Sequence, residues 1–103
     1  MEYNLILDND ALNDIDEAAS WYEKQQKDLG VEFLLKFEEA VEFLQKNPKI
    51  FAIVFSHFRR MLLNKFPYAI YYSVNEKKKE VEVVAVFHTS RSSEIWKKRL
   101  SYS

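Results

Sequence analysis

The hydrophobic period of this chain changes once, at Asn47-Pro48, and that change sets the class of fold open to it. Before it, Phe33, Leu34, Phe37, Ala40, Val41 and Leu44 recur at i, i+3, i+4 and i+7, the apolar stripe of an amphipathic helix. Glu38, Glu39 and Glu42 occupy the rest of the cylinder. The helix must stop at Asn47, because the residue before a proline avoids helical geometry. After it, alternation takes over. From Arg59 to Lys65, Arg60, Leu62 and Asn64 fall on one face and Arg59, Met61, Leu63 and Lys65 on the other. Phe66-Pro67 breaks that run. Tyr68 to Val74 is aromatic and β-branched, Asn75 to Lys79 is a polar turn, and Glu80 to His88 is apolar on both faces, as a central strand is.

The first third completes the pattern. Residues 2–7 alternate and then turn apolar, as a short strand does. Asp8, Asn9 and Asp10 offer acceptors for the free amides of a helix start. Ala11, Ile15, Ala18 and Tyr22 then recur at helical spacing, which predicts a helix to about Asp28. Gly30 is placed to end it in the left-handed conformation. Residues 50–56 form a loop or a brief edge strand, and residues 92–100 make one or two helical turns with Ser92 or Ser93 at the cap. The predicted order is β-α-α-β-β-β(-α): an α+β fold, a helical hairpin packed on one face of an antiparallel-rich sheet. Residues 1–103 form a single domain, without repeats or linkers.

Composition narrows the function classes. With 48% hydrophobic and 16% aromatic residues, the chain can build a core. It has no Cys, so disulfides and cysteine-based zinc sites are excluded. The two histidines, His57 and His88, have no helical i, i+4 spacing, so no metal is expected. No phosphate loop or other cofactor motif is present. No apolar run approaches a membrane span. The first ten residues lack the basic region of a signal peptide, so a cytoplasmic location is expected. Charge is unevenly spread. Residues 1–48 hold 12 acidic and 4 basic side chains, and residues 49–103 hold 4 acidic and 11 basic. Basic side chains gathered on strands, without a nucleophile, predict a grip on an acidic partner.

Four pieces of sequence carry a resemblance that spans nearly the whole chain. They are Ala18-Ala19-Ser20-Trp21-Tyr22, then Asn47-Pro48, then Arg60 followed by Phe66-Pro67-Tyr68-Ala69-Ile70-Tyr71-Tyr72, and finally His88-Thr89-Ser90-Arg91 ahead of Trp96 and Arg99. Together they resemble the RelE/ParE superfamily, the toxins of bacterial type II toxin–antitoxin systems, which include plasmid stabilisation modules. The resemblance implies neutralisation by a cognate antitoxin, with operator DNA bound only through that antitoxin. It implies one of two activities: RelE-like cleavage of messenger RNA on the ribosome, or ParE-like inhibition of DNA gyrase. A degenerate, non-toxic binding module is the third alternative. RelE-like nucleases carry an arginine after the first aromatic of the third strand, and the matching position here is Ala69. Their late tyrosine is matched by Trp96, whose indole cannot act as a general acid or base. Both departures favour the ParE branch.

Six residues are the candidate target-binding set: Arg60, Tyr71, His88, Arg91, Lys98 and Arg99. If the protein is a nuclease, Arg60, His88 and Arg91 are its catalytic candidates. For a shared grip, those three must converge in one concavity. Of Tyr71 and Tyr72, which point to opposite sides of one strand, one is expected in the core and the other free to stack on a partner. Trp21 and Tyr22 are expected to pack in the core or the hairpin.

Overall fold

A computed structural model describes residues 2–103. The elements, in chain order, are β1 (Asn4–Leu7), α1 (Asn9–Gln25), α2 (Leu29–Lys46), β2 (Ile53–Phe55), β3 (Phe58–Leu62), β4 (Tyr68–Asn75), β5 (Glu80–His88) and α3 (Ser93–Ser101). The strands form one sheet in the order β1-β5-β4-β3-β2. β1 runs parallel to β5, and the other neighbours are antiparallel. The α1–α2 hairpin therefore carries the chain from one sheet edge to the other and covers one face on the way. This is the α+β arrangement that the change of period predicts, with residues 50–56 supplying a three-residue edge strand.

The hairpin turns more tightly than its sequence implies. α1 ends at Gln25, and the left-handed residue is Asp28, with φ 68°. Gly30 does not end a helix; it lies in the first turn of α2. Its lack of a side chain serves a close approach instead, since a Cβ there would stand 2.5 Å from the Ala19 carbonyl oxygen of α1. The amides at the start of α2 are capped from the other helix. The Glu23 carboxylate accepts from the amides of Asp28 at 2.9 Å and Gly30 at 3.0 Å. Asp8, at the N-cap of α1, makes no side-chain cap bond.

Both sheet faces are covered. On the hairpin face, Ala11, Ile15, Ala18 and Tyr22 meet Phe33, Phe37, Ala40 and Leu44 over Ile70, Tyr72, Val81 and Val83. Full burial of a side chain such as Phe33 contributes roughly 2–3 kcal/mol. Leu34, although on the predicted stripe, is 40% exposed. On the opposite face, α3 lays Trp96 and Leu100 over Phe58, Ala69, Tyr71, Ala85 and Phe87. Tyr71 and Tyr72 are thus both core residues, at 3% and 0% exposure. A sheet covered on both sides leaves neither tyrosine free. The Tyr72 hydroxyl donates to the Pro48 carbonyl at 2.8 Å and so anchors the turn after α2. Burial pushes its pKa up to about 12.

One irregularity shapes the site. Tyr71 pairs with Ala85 but Tyr72 pairs with Val83, so Val84 is an extra residue, a β-bulge. It directs both Val84 and Ala85 to the α3 face. β1 is also short. It pairs with β5 only as far as Val83, which leaves the outer edge of β5 bare beyond that point.

Candidate functional site

The bare edge of β5 is where α1 and α3 meet. The Asp14 carboxylate, on α1, accepts the Val86 amide at 3.0 Å, in place of a missing strand. The same carboxylate takes both terminal nitrogens of Arg99 from α3, at 3.0 and 2.9 Å. Arg99 also donates to the Val84 carbonyl of the bulge at 3.4 Å. The hydrogen bonds and charge of Asp14 push the Arg99 pKa further up, against the opposing effect of burial. Helix, bulge and tail are therefore tied at a single point. Arg99 is committed to that tie and is not a free contact.

Other basic residues of Phe58–Arg99 are similarly occupied. Arg59 donates to the carbonyls of Phe51 at 2.7 Å and Lys49 at 3.2 Å. Lys65 pairs with Glu32, and Lys79 with Glu76 at 3.5 Å. Among the described residues of this stretch, Arg59 is held by carbonyls alone, and Arg60, Lys77, Lys78, Arg91, Lys97 and Lys98 likewise have no carboxylate partner. Lys77 and Lys78 sit on the β4–β5 turn. Lys98 is exposed on α3.

His88 and Arg91 come together. Both line a cleft of about 540 Å³ between α1 and the ends of β4 and β5. His88 closes β5 opposite Tyr68, with the two rings edge to face at 5.3 Å. Its Nδ1 accepts the Ser90 amide at 3.0 Å, so in the neutral ring the proton is on Nε2. Arg91 is exposed and spreads over the Phe87 ring, 5.4 Å from its centroid. Burial raises the Tyr68 pKa, the neighbouring Tyr22 raises it further, and Arg91 opposes both. The phenol is a neutral group at physiological pH.

Arg60 does not join them. It pairs across β3–β4 with Tyr71 and lies on the α3 face of the sheet, its guanidinium 6.0 Å from the Trp96 ring centroid. Lys97 approaches the same ring at 5.6 Å. Trp96 in turn stacks on Tyr71 at 5.2 Å and 25°. Burial raises the pKa of Tyr71, while Arg60 acts to lower it. The expected concavity shared by Arg60, His88 and Arg91 is therefore split into a cleft on the hairpin side and a stacked array under α3. The reason is parity: Arg60 and His88 point to opposite faces of one sheet.

Trp21 is a cleft residue that the sequence does not single out. It is 55% exposed and lines the same cleft as His88, whereas Tyr22 beside it is core. Trp21 lies one step off the apolar stripe that holds Ala18 and Tyr22, and that offset is the signal in the sequence.

The fold has solved counterparts. A chain of the chromosomal ParDE toxin–antitoxin system from P. aeruginosa superposes with a TM-score of 0.73 at 18% identity, covering 84% of this chain and 96% of that one. A mutant of the E. coli toxin RelE in the free state gives 0.70 at 19% identity, covering 99% and 98%. A chain of the intact E. coli RelBE toxin–antitoxin complex gives 0.61 at 20%, covering 86% and 99%. At these identities the likeness establishes the RelE/ParE fold. No curated protein sequence is a significant match. The sequence profile described as ParE toxin of type II toxin-antitoxin system, parDE, matches residues 5–93. The chain belongs to that family of type II toxins.

Proposed function

We propose that this toxin acts by inhibiting DNA gyrase and is neutralised by a cognate antitoxin in the cytoplasm. The observation that carries the proposal is the sealed array under α3. At the two positions where a RelE-like nuclease has a cation and a tyrosine, this chain has Ala69, 1% exposed, and Trp96, 8% exposed and stacked on Tyr71. An indole held there supplies no proton, and Ala69 supplies no charge for a transition state, a loss on the order of 3 kcal/mol for one preorganised donor. The ParE profile supports the same branch. Arg60, Arg91 and Lys98 are the free cations of the candidate set for an acidic surface of the target. Tyr71 and Arg99 act by holding α3 in place.

An antitoxin partner is supported by the company the fold keeps, since solved relatives include ParDE and RelBE toxin–antitoxin systems. DNA binding belongs to the antitoxin complex and not to the toxin alone. The test uses purified toxin in two assays. Gyrase supercoiling should be lost at micromolar toxin while messenger RNA in a translation extract stays intact. Toxin-dependent messenger cleavage that His88→Ala removes would replace this proposal with the nuclease. Unchanged growth on expression without antitoxin would mark a degenerate binding module.

A further inference from the structure

The cleft beside His88 has a chemistry of its own. Its walls are apolar and aromatic: Trp21, Tyr22, Pro67, Tyr68 and Phe87. An indole exposed to 55% at the mouth of such a cleft is an anchor in search of a second face, because aromatic rings bury large areas with little loss of side-chain freedom. At about 540 Å³ the cleft lies in the size range of ligand pockets.

The polar groups at its rim are asymmetric. Arg91 is a donor only. His88 has spent its Nδ1 on the Ser90 amide, so its remaining nitrogen donates. Asp14 is already saturated by Arg99 and Val86. One rim thus needs an acceptor, and a charged one matches Arg91. The α1 wall of the cleft carries the carboxylates of Glu17 and Asp14. A chain of phosphates would run into those carboxylates; a single carboxylate would not.

We propose that this cleft docks a protein segment in which an aromatic side chain lies beside a carboxylate. The ring packs against Trp21 and Tyr68, and the carboxylate is met by Arg91 and the Nε2–H of His88. The proposal rests on the toxin reading only in taking the occupant to be a protein, and it holds whether or not that protein is gyrase.

The test needs no knowledge of the partner. N-acetyl-L-phenylalanine, which carries both groups, is titrated into ¹⁵N-labelled protein. With two tryptophans in the chain, the indole N–H of Trp21 is read separately from that of the buried Trp96. The expected result is a saturable shift of the Trp21 indole and of the His88–Arg91 amides, with a dissociation constant near a millimolar, as ligand efficiency predicts for so small a probe. N-acetyl-L-phenylalaninamide, which lacks the carboxylate, should bind roughly tenfold more weakly, the scale of one charge-assisted hydrogen bond. Arg91→Gln should weaken the acid by a similar factor and leave the amide unchanged. Trp21→Ala, which removes the indole signal itself, should abolish the probe-induced shift of the His88–Arg91 amides while the rest of the spectrum reports an intact fold. Equal binding of acid and amide overturns the proposal. So does tighter binding of adenosine monophosphate, which would make the cleft a nucleotide site, and so does the absence of any shift at tens of millimolar probe. A failed gyrase assay with these shifts intact would remove the target and leave the cleft standing.

Discussion

Asp14→Ala is the substitution with the most to say about this fold. In the intact protein the Asp14 side chain is 10% exposed and receives three hydrogen bonds, two from Arg99 and one from the Val86 amide. Truncation leaves the Val86 amide without an acceptor at a mostly buried edge, at roughly 1–3 kcal/mol. It also strands Arg99. A fully buried unpaired charge costs about 3–5 kcal/mol, but Arg99 is 24% exposed and can turn towards water, so the lower part of that range applies at most. The expected total is about 3 kcal/mol, or a fall of roughly 10–20 °C in Tm for a domain of this size. Arg99→Ala should cost less, about 1.5 kcal/mol, because Asp14 keeps the Val86 amide. The double variant should be little worse than Asp14→Ala alone, which gives a coupling energy of about 1–2 kcal/mol. Urea unfolding followed by far-UV circular dichroism measures all four corners of the cycle. A coupling below about 0.5 kcal/mol would refute the idea that this pair ties α3 to α1.

Three further outcomes are expected. Gly30→Ala should destabilise by about 1–3 kcal/mol in the same urea assay, even though alanine is the better helix former, because its Cβ would stand 2.5 Å from a backbone oxygen. Tyr72→Phe should lose about 1 kcal/mol with the bond to Pro48. It should also flatten the alkaline limb of stability: the Tyr72 pKa is raised from 10.0 to about 12 in the fold, so the native state keeps a proton the unfolded chain gives up, and stability declines as pH rises through that window. Finally, the Tyr3 hydroxyl, followed by Lys49, holds the Glu76 carboxyl down at about 2. Tyr3→Phe should return its titration towards 4.5, as followed by carbon-13 NMR of the carboxyl.

The architecture was legible where one period ran long enough to be read. The α2 stripe, the stop at Asn47-Pro48 and the two-sided strand Glu80–His88 were all visible, because each reflects the burial of many side chains at once. What stayed hidden depends on single contacts between distant segments. Gly30 carries the same letter whether it ends a helix or lets two helices touch. Arg99 reads as a target contact because its partner, Asp14, is 85 residues away. Arg60 and His88 lie on separate strands, and which face each one takes depends on a register that contains a bulge at Val84. Trp21 reads as core or hairpin packing from its neighbours, although one helical step moves a side chain about 100° around the cylinder.

The brevity of β1 has a consequence for how this molecule could change over time. Asp14 can hold the Val86 amide only because β1 stops at Val83 and leaves that amide unclaimed. A β1 extended alongside Val84 to Val86 would satisfy the amide through the backbone and displace the carboxylate. Extending the sheet at that margin would therefore remove the polar tie between α1 and α3 and leave α3 held by Trp96 and Leu100 alone, so growth of the first strand carries a cost to the last helix.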